Sequence, residues 1–468
     1  MSAFRHRSGR RKQWRRASLR GTALAAVALL TACTGTAATG SATAGPGAKA
    51  GPGPAGADVA HHGRRAKAAA PVDRSPRDVG KQARAMLPAP TGPYAVGTTS
   101  LQLTDHSRQD PWQPESGARE LMVSFWYPAV RGASHAARVS YMEPLAGAHF
   151  GSKRGAASFN YKLPAGRTDW SATGTQARQN APVVRGGGRL PVVLYSPGVG
   201  DPRTWNTGLV EDLASRGYVV VTVDHTYEAS EVQFPGNRLA ESVLPGLMKP
   251  GVDIGAVQRK TMTARVADTR FVLDALPGLR HRAGLPTGLA GMMDLGRIGM
   301  VGHSAGGFTA AQTMHDDPRI KAGANLDGTM DFGGPDGRGH RLSSVARDGV
   351  DRPFLLMGTA AADSGDYHHQ PSWDAFWTNS RGWHADVTLK NSEHGSYTDA
   401  AALLPQLARQ GAAPEAAVRA DIGTVRPQRA VAATRAYVAS FFDRWLRGHD
   451  DHLLDGPSPR FPEMTYAQ

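Results

Sequence analysis

Gly302-His303-Ser304-Ala305-Gly306 lies between an apolar run, Ile298 to Val301, and a segment with helical patterning, Phe308 to Met314. A serine framed this way requires a sharp strand-to-helix turn, with glycines on both sides because a side chain there would clash, and with the hydroxyl lifted clear of the sheet. In a chain with 55 Gly among 468 residues the five letters alone would arise by chance on the order of 0.3 to 0.5 times. The context carries the weight: Arg297-Ile298-Gly299-Met300-Val301 reads as a strand, and Gly307 supplies a second small residue where the helix must pack closely.

The surrounding pattern agrees. Leu190 to Tyr195 is a continuous apolar run of the kind that forms a strand buried on both faces, Trp205 to Arg216 is helical, and Tyr218 to Val223 is a second such strand. A helix over Val257 to Leu276 leads to the serine, and strands follow at Ile320 to Leu326, Pro353 to Met357 and Ala385 to Leu389. An amphipathic helix, Val431 to Trp445, closes the pattern. Strands alternating with helices predict an α/β fold with a mostly parallel central sheet and helices on both faces. Ahead of it, Tyr94 to Gly97, Ser100 to Leu103 and Leu121 to Pro128 read as an N-terminal antiparallel meander. Residues 132–188 are Gly/Ala-rich and poorly periodic, and are expected to form an insertion over the sheet that lines or covers a site.

Charge divides the chain unequally. Residues 1–84 hold 16 Lys/Arg against 3 Asp/Glu, leaving 38 basic and 37 acidic residues for the rest, so all but one unit of the net +14 lies in the leader and linker. A nucleic-acid surface on the folded body is excluded on that ground. The first twenty residues carry eight Arg/Lys and no acid, and Gly21 to Ala32 is apolar but too short to span a bilayer, as in an export signal. It ends in Leu30-Thr31-Ala32-Cys33, similar to a bacterial lipobox, in which Cys33 would be lipidated and become the new N-terminus. Thr34 to about Ala70 has almost no bulky apolar residue to offset its ordering entropy. The expected plan is a signal peptide with lipobox (1–33), a disordered Ala/Gly/Pro linker (34–85) and one catalytic domain (86–468), exported and either held at the cell envelope or extracellular. Cys33 is the one cysteine, so the mature domain has no disulfide, thiol nucleophile or Cys-ligated metal, and no cofactor is expected.

A serine hydroxyl is a poor nucleophile at neutral pH and needs an imidazole to take its proton and a carboxylate to orient the imidazole. In sheets with this turn the partners follow in the order serine, acid, histidine, each after a later strand. His394, in Ser392-Glu393-His394-Gly395-Ser396 just past the last predicted strand, is the expected base. His303 is expected to point away from the partner of the serine, and His368 and His369 lack the further ligands that a metal would need. For the acid, Asp327 ends the strand after the serine's helix, whereas Asp363 and Asp366 follow the next strand; spacing leaves both positions open. The oxyanion of a tetrahedral intermediate needs two N–H donors. Ala305 supplies one; in Ser196-Pro197-Gly198-Val199-Gly200, Pro197 has no N–H, so Val199 is the better second donor and Gly198 the next.

Ser-x-Gly-x-Gly after a strand, Asp212-Leu213-Ala214-Ser215-Arg216-Gly217-Tyr218-Val219, Gly-His-Ser-x-Gly-Gly, Asn325-Leu326-Asp327-Gly328 and His394-x-x-Tyr397-x-Asp399 together resemble the secreted platelet-activating-factor acetylhydrolases, a family of α/β-hydrolases. The resemblance runs from about Gly92 to the amphipathic helix. It implies the α/β-hydrolase fold, implies Asp327 as the triad acid, and implies a short-chain acyl ester or acetylated phospholipid as substrate. Pro197 stands where that family usually has His. The expected activity is therefore ester hydrolysis through an acyl-enzyme, on a small-molecule or lipid ester. The alternatives are a broader lipase or polyester hydrolase, a secreted serine peptidase or amidase, and a non-catalytic binding protein, which would predict loss of a triad member.

Overall fold

The computed structural model describes residues 82–467, apart from residues 133–135, 185, 187, 283 and 362–363. Cys33, almost all of the linker and Asp363 lie outside the described residues. The strands are β1 (Ala95–Gln109), β2 (Ala118–Ala129), β3 (Arg138–Ser140), β4 (Gly174–Gln179), β5 (Leu190–Ser196), β6 (Val219–Val223), β7 (Glu231–Phe234), β8 (Arg238–Glu241), β9 (Met293–His303), β10 (Ile320–Leu326), β11 (Asp331–Phe332), β12 (Arg341–Leu342), β13 (Phe354–Thr359), β14 (His384–Leu389) and β15 (Met464–Tyr466). Eleven of them form one sheet in the order β15-β14-β13-β10-β9-β5-β6-β2-β1-β4-β3. The run from β6 to β14 is parallel, β2 joins β6 antiparallel and β1 joins β2 antiparallel. This is the α/β-hydrolase fold.

The β-branched runs explain the centre. Val192, Leu194, Val219 and Val221 face one side with helices Ile254–Ala275 and Ala305–Asp316, while Val193, Tyr195, Val220 and Val301 face the other with Thr207–Ser215, Ala400–Arg409 and Pro427–Arg447. Apolar residues at successive positions of one strand thus serve two separate cores.

Four features differ from the expectation. The first part of the meander is one continuous 15-residue strand, because Thr98 and Thr99, between its two apolar stretches, are themselves buried and paired with Trp126 and Phe125 of β2. The 132–188 segment does not simply overlie the sheet: β4 and β3 extend its edge, and its aromatics close around Trp205, with Tyr161, Phe150 and Trp170 rings at 4.5, 4.9 and 5.7 Å. The chain after the amphipathic helix returns as β15 on the other edge, a three-residue strand too short to signal itself. Finally, the folded body already includes residues 82–85. Ala83 exchanges hydrogen bonds with Arg167 and Asp169, Leu87 and Ala85 with Gly174, and the side chains of Gln406 and Gln410 grip the backbones of Met86 and Arg84 at 2.8 to 3.2 Å.

The strand order reverses at β5, whose neighbours are β6 on one side and β9 on the other. A crevice opens at such a point beyond the carboxyl ends of the strands. Register then sets what meets there: Ser196 is opposite Gly302, and His303 is opposite Leu326.

Candidate active site

Ser304 joins β9 to the helix Ala305–Asp316 with φ 56° and ψ −125°, a conformation that a non-glycine residue holds only when its surroundings impose it. Its N–H is tied to Leu326 O at 2.8 Å, and its C=O accepts from Gly307 and Phe308 at 2.9 and 3.1 Å. The glycines are required by space: a Cβ on Gly306 would lie 1.9 Å from Ser196 O, one on Gly307 1.9 Å from Asn325 Oδ1, and one on Gly328 2.1 Å from Ser304 O. Two of these three neighbours are backbone atoms that cannot step aside. Gly306→Ala is therefore expected to destabilise the protein by about 3 kcal/mol or more, read as a lowered urea midpoint at unchanged slope.

The structure brings Asp327 and His394 together. His394 Nδ1 donates to Asp327 Oδ2 at 2.6 Å. Asp327 sits at φ 60° immediately past β10, with its N–H on Met357 O at 2.9 Å. Its carboxylate also accepts from Thr359 N–H and Oγ1, each at 3.0 Å, and from Ser364 Oγ. Burial opposes ionisation of Asp327, but the His394 and Ser364 hydrogen bonds outweigh it and hold the carboxyl below its usual range. For His394 burial likewise opposes the charge, and the Asp327 bond, with the charges of Asp327, Asp421 and Asp201, holds the imidazole above its ordinary value. Nε2 of His394 has no hydrogen-bond partner among the described residues. That unpaired nitrogen is the one a serine proton would reach, and such bonds often close only with substrate in place.

His303 departs from the expectation. Its ring packs on His394 with centroids 4.4 Å apart, and its Nε2 donates to the His394 carbonyl at 2.9 Å. Burial and the adjacent His394 charge hold it down to about 3, so it is neutral and serves as a strut beneath the neighbouring imidazole. Asp366 lies elsewhere, bonded to His369 Nδ1 at 2.7 Å on the surface.

On the opposite wall, the turn after β5 comes up against the serine: a Cβ on Gly198 would lie 2.8 Å from Asp201 Oδ2, 3.3 Å from His303 Nδ1 and 3.6 Å from Ser304 Cβ. Among the described residues no acceptor takes the N–H of Val199, or that of Ala305 at the first turn of its helix. The insertion does line this site. Asn160 Nδ2 donates to Val199 O at 3.3 Å and Asp201 Oδ1 at 3.2 Å, and Tyr161 Oη donates to the Asp201 carboxylate at 2.8 Å. Burial pushes Asp201 up to about 7, against the Tyr161 and Asn160 bonds, and pushes Asp421 beside Gly395 to about 7 as well. The sequence reading missed Asn160, Tyr161 and Asp201; the signal was Asp201 following directly on the glycine turn.

Fold and site together define a serine hydrolase of the α/β-hydrolase class. Residues 79–235 match the model of platelet-activating factor acetylhydrolase, isoform II. A probable 1-alkyl-2-acetylglycerophosphocholine esterase of Arthroderma benhamiae is 27% identical over 81% of this chain and 93% of its own length. The platelet-activating factor acetylhydrolase of Canis lupus familiaris is 29% identical over 33% of this chain and 38% of its own. Among solved structures, a ferulic acid esterase from Streptomyces cinnamoneus superposes with a TM-score of 0.64 at 35% identity, covering 82% of this chain and all of the other. The chain is thus similar to the platelet-activating factor acetylhydrolases of isoform II, and it is a serine ester hydrolase acting on a small-molecule or lipid ester.

Proposed function

We propose that Ser304, His394 and Asp327 are the catalytic triad of an acyl-enzyme mechanism acting on short-chain acyl esters, with the amides of Val199 and Ala305 as the oxyanion hole. Ser304 Oγ adds to the ester carbonyl as His394 Nε2 takes its proton. The tetrahedral oxyanion collapses, the alcohol leaves with the proton from Nε2, and water then repeats the sequence on the acyl-serine. Asp327 remains ionised throughout and stabilises the imidazolium. The observation that carries this reading is the 2.6 Å Asp327–His394 bond beside a serine held at φ 56°.

The short acyl preference is supported by the name of the Arthroderma relative, an acetyl ester hydrolase. A second reading, a hydroxycinnamoyl esterase, is favoured by the solved Streptomyces neighbour. Turnover of p-nitrophenyl acetate, butyrate and palmitate beside methyl ferulate separates them. The expected result is kcat/KM falling from acetate to palmitate by at least about tenfold per step. A palmitate optimum would move the protein to the lipases, and a ferulate optimum to the second reading. Export with lipidation at Cys33 is part of the proposal: Cys33→Ser should release the protein from the membrane fraction, and an unchanged partition would remove the anchor from it.

A further inference from the structure

Beneath the turn Ser196–Gly200 lies a guanidinium that the chemistry above does not use. Arg265, buried on the helix Ile254–Ala275, donates Nη1 to Pro197 O at 2.7 Å and Nη2 to Gly198 O at 2.9 Å; Nη1 also reaches Ser196 Oγ at 3.2 Å. Its other edge closes on Glu228, Nε to Oε2 at 2.7 Å and Nη2 to Oε1 at 2.5 Å. A planar fork that grips two successive carbonyls fixes the orientation of both peptide planes, which a point charge could not do.

The peptide held by Nη2 is the one between Gly198 and Val199. In a planar trans peptide the C=O and N–H point in opposite directions. Anchoring Gly198 O to Arg265 therefore turns the Val199 N–H the other way, out of the core, on the wall where Gly198 comes up against Ser304 Cβ. We propose that Arg265 is a positioning residue that aims the Val199 amide at the developing oxyanion. The proposal rests on the reading of Val199 as an oxyanion donor.

The surrounding bonds make the arrangement one-directional. Ser196 Oγ accepts from Arg265, so its proton goes to His225 Nε2 at 2.9 Å, and His225 Nδ1 donates to Asp268 Oδ2 at 3.0 Å. Asp268 is locked in turn by Arg119 at 2.7 and 3.0 Å. Ser196, His225 and Asp268 repeat the residue types of a triad, yet each is at most 1% exposed, so no ester reaches them. They fix the near end of the turn while Arg265 fixes its middle.

The test compares wild type, Arg265→Lys and Arg265→Gln on p-nitrophenyl acetate and on the corresponding thionoester, whose C=S profits little from an oxyanion hole. Lysine keeps the charge opposite Glu228 but cannot hold two carbonyls. The expected result for Arg265→Lys is a kcat lowered about 10- to 100-fold with KM within about twofold, a drop in the ester-to-thionoester ratio of similar size, and an unchanged pH midpoint. Arg265→Gln should show a larger drop. If Gln at this position does not fold, the double variant Arg265→Met/Glu228→Gln, which removes both buried charges, takes its place with the same expectation. A folded Lys variant with wild-type kcat, or with a lowered kcat and an unmoved ester-to-thionoester ratio, would overturn the proposal. Wild-type enzyme that is active but indifferent to loss of Ser304 would instead remove the triad reading beneath it.

Discussion

Ser304→Ala should lower kcat on p-nitrophenyl acetate about 10⁶-fold while leaving the urea midpoint close to that of the parent. The hydroxyl is the only part of the residue that this change removes. The backbone strain at φ 56° is common to Ser and Ala, and it is imposed by the Leu326 bond and by the glycines, which the substitution leaves in place. Loss of activity with an intact fold is thus the expected pair of results, measured by steady-state kinetics and chemical denaturation on the same preparation. Retention of even a hundredth of the activity would point to a different nucleophile. A collapse of stability would show that the elbow depends on the hydroxyl.

Asp327→Asn is expected to lower kcat about 10⁴-fold and also to move the pH profile. In the parent, Asp327 holds the His394 imidazolium and keeps its pKa above 6.5, the ordinary value. The base works only when neutral, so activity rises with pH as that proton leaves, with a midpoint above 6.5. An amide in place of the carboxylate cannot stabilise the imidazolium, so the midpoint should fall even as the plateau drops. The same pair contributes to stability with opposite signs at the two ends. The raised His394 contribution is fully present below the unfolded histidine value and is lost as pH rises through the folded one. The lowered Asp327 contribution is present above the ordinary carboxylate value of 3.8 and is lost as pH falls. The Asp327→Asn substitution should therefore remove a stability advantage that is greatest in the mildly acidic range. A variant with reduced kcat and an unmoved midpoint would sink this account of Asp327.

Much of this was legible because strands buried on both faces leave continuous apolar runs, and Leu190 to Tyr195 and Ile320 to Leu326 fall within a residue of the strands they form. The elbow was legible for a steric reason, since a Cβ at Gly306 or Gly307 meets atoms under 2 Å away. The partner of His394 was not: in the sequence Asp327 and Asp363 both follow strand-like runs, and it is tertiary register that brings Asp327 to His394. The insertion hid its role for a related reason. Asn160 and Tyr161 reach Asp201 through a short helix and an aromatic cluster that have no sequence period. Arg265 and Asp268 left a fainter sign, two charges one turn apart on the face of a helix that also presents Met262 and Val272 to the core.

The strap at residues 83–87 has a mechanical meaning. It is stitched on one side to residues 167–174 of the insertion and on the other to the glutamines of helix Ala400–Arg409, which begins six residues after His394. A pull on the chain ahead of residue 82 would load both of these seams in shear before it reached any slack. One seam belongs to the insertion that carries Asn160 and Tyr161, and the other to the helix that follows the loop carrying the imidazole. Tension in the leader would thus be delivered to the two walls of the reaction site, and an enzyme held by that end in flow would feel drag where it does its chemistry.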